Sequence, residues 1–151
     1  MGTSTDGQIC FGVIFEDGTE FPWHSKGLED WWIEVSGFKP TAPIYDDDGG
    51  YINGLRPPET VIDVYYQERR EFKKAHPVPF EDVNYCSSEY PMYILAVKRT
   101  FLSNNRGYPL TFKPEDLTVT EEEKAALLEF CKKYDLAFQG EPGWILSSYW
   151  G

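Results

Sequence analysis

Five runs rich in β-forming residues, 8–16, 92–101, 108–112, 136–138 and 144–150, are spread unevenly among three helical segments, and this order constrains the fold most. Strict alternation of strand and helix would give a parallel sheet with helices on both faces, whereas strands that follow one another directly give a largely antiparallel sheet. Here Ser103-Asn104-Asn105-Arg106-Gly107 lies between the second run and the third, and only Gln139-Gly140-Glu141-Pro142-Gly143 separates the fourth from the fifth. Both linkers carry turn chemistry. The pattern predicts an α+β fold of about five mostly antiparallel strands with about three helices packed on one side. At 151 residues, with no linker and no internal repeat, the chain is expected to form a single globular domain over 1–151.

The helices announce their ends. Ser25 precedes Leu28–Val35, where Leu28, Trp31, Trp32 and Val35 recur at helical spacing, acids sit in the first turn and Gly37 follows the close. Pro57-Pro58 open a second helix, Glu59–Ala75, whose packed side is expected to carry Ile62, Tyr65, Tyr66, Arg69 and Phe72. Thr120 with Glu123 matches a capping box and starts a third helix, with Lys132 and Lys133 in its last turn. Trp150, next to the last residue, implies that this end of the chain is docked.

Between Gly37 and Pro58 lies an irregular segment of about twenty residues, a length more typical of functional loops than of simple connections. It contains Tyr45 and the triplet Asp46-Asp47-Asp48. A calcium loop starting at Asp46 fails on inspection, because Tyr51 stands where Gly is needed and Pro57 where a bidentate Glu belongs. A second candidate is the stretch 91–113, which lacks any acid while holding Lys98, Arg99, Arg106 and Lys113. Asp and Glu are poor strand formers, which accounts for their absence in a hairpin. The other reading is an anion-binding hairpin tip built from Arg99, Asn104, Asn105, Arg106, Tyr108 and the Gly107 backbone.

Charge narrows the partners. With 25 acids against 14 bases the chain carries a formal −11, which opposes binding along a nucleic-acid duplex, since such affinity comes largely from Lys and Arg neutralising phosphates. The same charge suits capture of a basic protein surface. Residues 1–55 hold 10 of the acids and 2 of the bases. Cys10, Cys86 and Cys131 are odd in number and far apart, there is no secretory h-region, and no apolar run approaches the roughly 18 residues of a membrane span. These features predict a cytoplasmic protein with reduced thiols and no membrane anchor. No two Cys have zinc spacing, His24 and His76 are isolated, and the common nucleotide, zincin and hydrolase motifs are absent, so no metal or cofactor is expected.

Gln-Ile-Cys-Phe-Gly from Gln8, Tyr-Cys-Ser-Ser-Glu-Tyr-Pro-Met-Tyr-Ile-Leu-Ala-Val from Tyr85 and Gly-Trp-Ile-Leu-Ser-Ser-Tyr-Trp from Gly143 together resemble small, largely uncharacterised proteins of tailed bacteriophages. The resemblance carries over no site residue. What it implies is a setting in which such proteins bind and disable a host factor, anti-phage defence components included.

Three functions remain open. The first is a non-enzymatic binding protein that seizes a host protein with a basic surface, through Asp46, Asp47 and Asp48 with Trp23 and Tyr45 as exposed aromatic anchors. The second is a sponge for a nucleotide-like signalling molecule, with Arg99 and Arg106 on its phosphates. The third is a small enzyme using a Cys/His pair such as Cys86 with His76. Oligomeric state is not readable from the sequence.

Overall fold

A computed structural model describes residues 5–150. Among them are five strands, β1 (Thr5–Ile14), β2 (Phe80–Ser87), β3 (Pro91–Val97), β4 (Leu102–Asn104) and β5 (Gln139–Trp150), and three α-helices, α1 (Leu28–Val35), α2 (Glu59–Ala75) and α3 (Glu121–Lys133). The fold class is α+β, with all five strands in one mixed sheet. The chain divides into two compact units, one formed by the residues up to Phe21 together with those from Pro79 on, the other by Pro22–Val78.

The first unit holds the sheet. β1 is its centre: one edge pairs with β5 over almost its whole length, and the other pairs first with β4 (Ile9 opposite Leu102) and then with β3 (Gly12 opposite Ala96). β3 continues into β2 as an antiparallel hairpin, and β2 meets β5 in parallel at Cys86 and Ser87, opposite Tyr149 and Trp150. The pairings β1–β5–β2–β3–β1 therefore run in a circuit. Cys10, Val83, Ile94 and Ala96 pack together on one face, with Ile14, Tyr85 and Ile145 against them. On the other face α3 covers the sheet, placing Phe130 4.6 Å from Phe80 and the Lys124 ammonium 5.9 Å over Phe11. The α3 capping box forms as its sequence predicts: Thr120 Oγ1 accepts from the Glu123 amide, and the Glu123 carboxylate accepts from the Thr120 amide.

Three strand expectations are corrected. The run 92–101 does not continue into a hairpin with 108–112. β3 ends at Val97, a 3-10 turn follows at Lys98–Thr100, and β4 joins β1 instead; residues 108–112 form no strand. The cause is Thr100, whose buried hydroxyl donates to the Val97 carbonyl and so folds the chain back locally. The actual hairpin is β2–β3, whose turn is held by the Tyr90 amide donating to Ser87 Oγ. Finally, 139–143 is not a turn between two strands. It belongs to the single strand β5, where Gly140 adopts φ 65° beside the register slip between Gly12 and Ile14.

In the second unit α1 and α2 are tied by ion pairs from Asp30 to Arg69 and from Glu29 to Lys73. Phe38 sits between Tyr65 and Phe72 of α2, at ring-centre distances of 5.9 and 5.3 Å. Trp23, Trp31, Ile33, Ile44 and Ile62 are buried. No helix among the described residues is long and apolar enough to cross a membrane.

Candidate functional site

The irregular segment after α1 is fixed by α2. Thr41 donates from its amide (2.9 Å) and from its hydroxyl (2.5 Å) to the Glu68 carboxylate, which these bonds hold below its ordinary pKa. Two residues earlier on α2, the Tyr66 hydroxyl lies 2.7 Å from that of Tyr45. This bond, more than burial, raises the Tyr45 hydroxyl to about 12, so it stays protonated throughout the neutral range. Tyr45 and Tyr51 bridge as a strand pair, their rings stacked at 5.4 Å and 15°. The tip between them closes on Asp46, whose Oδ1 accepts the amides of Asp48 (3.2 Å) and Gly50 (2.8 Å). Such an Asx turn explains the residue type there.

This loop, α1 and α2 enclose an open cleft of about 760 Å³. Tyr45, Tyr65 and Tyr66 form its aromatic wall, Tyr65 meeting both neighbours edge-on at 5.7 and 5.3 Å. On the α1 side Lys26 is paired with Glu34 (2.6 Å), and Arg69 with Asp30. Both cations are thus neutralised within the cleft. Asp47 and Asp48 are exposed at the rim, and their carboxylates have no partner among the described residues. The lining carries five acids against two bases, a net −3.

The cleft gathers Tyr45, Asp46, Asp47 and Asp48 as the sequence suggests. It does not include Trp23. That ring is only 1% exposed and lies 5.1 Å from Trp31, so the expectation of an exposed anchor is corrected: a bulky indole next to Pro22 serves the packing of its own unit. Tyr66 was expected to pack and instead lines the opening, whereas Tyr65 does both, its ring packed against Phe38 while it lines the cleft. Nothing in helical spacing separates a core tyrosine from one whose ring edge faces a cleft.

The basic stretch is differently organised. Arg99 donates through Nε and Nη2 to both Glu123 oxygens, each at 2.8 Å, and through Nη2 to the Thr118 carbonyl. Its fork is therefore occupied within the fold. Asn104, Asn105 and Tyr108 close a local turn, with Asn104 Nδ2 donating to the Tyr108 carbonyl and the Tyr108 amide to the Asn105 carbonyl. The Arg106 amide there faces Asp6 Oδ1 at 3.4 Å. As no strand follows, this is not the tip of a hairpin. Burial raises the Cys10 and Cys131 thiols to about 12 and 11, so neither is a thiolate at neutral pH. Cys86 is exposed on β2, and His76 ends α2 with its ring stacked 4.1 Å from Phe72.

Arg99 lowers the Glu123 carboxyl to about 2, with the Thr120 amide contributing. A depressed folded-state pKa means that the stabilisation is present above the unfolded value of 4.5 and is lost as pH falls towards 2. Glu123→Gln is expected to cost about 1 kcal/mol at neutral pH. Urea titrations should show the gap between wild type and variant closing through that acid window. A gap independent of pH would show that the charge does not matter.

No family model, no curated protein and no solved structure matches the chain.

Proposed function

We propose that this chain is a non-enzymatic binding protein that captures a partner through a basic surface, using the cleft of residues 22–78. In the setting implied by the phage resemblance, the partner is a factor in the host cytoplasm, an anti-phage defence component being one such target. The observation that supports the reading is the pair of exposed, unpartnered carboxylates of Asp47 and Asp48 beside the tyrosine wall. A lysine or arginine side chain entering there would meet carboxylates at the rim and the faces and edges of aromatic rings inside, a combination that attracts cations. A phosphate-bearing ligand would meet those same acids and be repelled, so the cleft favours a protein partner over a nucleotide.

The test reverses the two rim charges. Asp47→Lys with Asp48→Lys is expected to leave the melting temperature nearly unchanged, since solvated, unpaired charges contribute little to folding. Asp46 is left intact because its carboxylate shapes the loop. Tagged wild-type protein and the double variant are used as bait in bacterial lysate, and retained proteins are compared by mass spectrometry. The reading predicts a protein retained by wild type and lost with the variant. Identical retention by both would remove the cleft as the capture surface.

A further inference from the structure

β5 is an unusually open strand. One edge pairs with β1 from Thr5 opposite Trp150 to Gly12 opposite Gly143, while the other meets β2 only at Tyr149 and Trp150. Among the described residues no strand pairs with that second edge between Gln139 and Ser148. Natural sheets protect such edges with lysines, bulges or a covering element, because a row of unpaired amides and carbonyls is a template for another chain. Here the protection is missing beyond Pro142: from Gly143 to Trp150 the strand carries no charged residue and no proline, and Leu146 is 81% exposed.

Where β5 and β2 part, they bound a groove of about 550 Å³. Its floor is apolar, with Ile14, Ile94, Ile145 and Met92, and its far wall is formed by Tyr85 and by Tyr90, which is 73% exposed. None of its lining residues is charged.

We propose that the free edge of β5 and this groove accept one extended peptide segment of a partner protein by strand addition, independently of the acidic cleft. Main-chain hydrogen bonds to β5 would supply affinity, and the alternate side chains pointing into the groove would be uncharged and aliphatic. Charge decides between a lone segment and a second copy of the chain: two chains that each carry −11 repel one another, which disfavours a second β5 on this edge. A basic segment meets no such repulsion. The chain's charge of −11 adds that the residues flanking the inserted stretch are basic.

The experiment uses the full chain and a fluorescein-labelled peptide, Lys-Lys-Val-Thr-Val-Thr-Val-Lys-Lys, followed by fluorescence anisotropy. Saturable binding below about 100 µM is expected. An analogue N-methylated on alternate residues, which keeps the charge and the side chains but removes main-chain donors, should bind at least about tenfold more weakly. Leu146→Lys, which places a blocking charge on the edge, and Tyr90→Ala, which removes the far wall, should each weaken binding to a similar degree. Both residues are exposed, so folding is expected to survive, and unchanged circular dichroism would confirm it. Equal binding of the N-methylated analogue, undiminished binding by both variants, or no saturation at about 1 mM would overturn the proposal. So would a concentration-dependent dimer abolished by Leu146→Lys, which would give the edge to a second copy. Asp47→Lys with Asp48→Lys should leave groove binding intact apart from a modest loss from the flanking lysines, separating this site from the cleft.

Discussion

Gly12→Ala is expected to destabilise the first unit by about 3 kcal/mol or more, a large fraction of the roughly 5–15 kcal/mol that holds a domain together. Gly12 lies where the second edge of β1 has passed from β4 to β3, paired with Gly143 of β5 on one side and Ala96 of β3 on the other. A Cβ at this position would stand 2.4 Å from the Leu95 carbonyl oxygen and 2.9 Å from Ala96 Cα. Both are backbone atoms of a central strand, so relief requires the β1–β3 ladder to separate, and overpacking of this kind has no rotamer to escape into. The control lies directly opposite. A Cβ at Gly143 would meet nothing within 4 Å, so Gly143→Ala should be neutral or slightly stabilising, because alanine lowers the entropy of the unfolded chain. Urea denaturation of the two variants, followed by circular dichroism, measures the difference. Equal stability would mean that the strands do not approach this closely.

How much of this was legible in the sequence depends on whether the signal was local. α1 and α2 run over the residues expected, and α3 starts where its capping box places it, because Gly37, Pro58, Thr120 and Glu123 act within a turn of themselves; the residue that precedes α1 is Gly27 at φ 86°, with no side-chain cap, and not Ser25. β2 gave no such signal. Phe80 faces α3 while Val83 faces the Cys10 cluster, so with both faces covered the polar and apolar residues do not alternate. The partner of β4 was hidden for a different reason, as strand pairing over long sequence separation leaves no local mark. At the cleft, loop length and the aspartate triplet pointed to Tyr45 and Asp46–Asp48. The roles of Lys26, Asp30, Glu34 and Arg69 depend on which charges neutralise one another across two helices, which only the fold supplies.

Thr100→Val is expected to cost about 2–4 kcal/mol although it barely changes the volume of the side chain. The second edge of β1 is served by two strands, β4 up to Ile9 and β3 from Gly12, and the interruption leaves the Phe11 amide without a backbone partner on that ladder. Thr100, fully buried, fills the interruption: its Oγ1 accepts from the Phe11 amide at 2.9 Å and donates to the Val97 carbonyl at 2.7 Å. Valine keeps the shape and removes both bonds, so a donor and an acceptor are left buried and unpaired. Serine provides the comparison, since Thr100→Ser keeps the hydroxyl and loses only a methyl, worth about 1 kcal/mol. The order Thr above Ser above Val identifies hydrogen bonding as the cause, and faster hydrogen exchange at the Phe11 amide in the valine variant would locate it. Should serine prove the more damaging change, the methyl packing would be what matters, and the hydroxyl would no longer explain why β3 gives way to β4 at this corner.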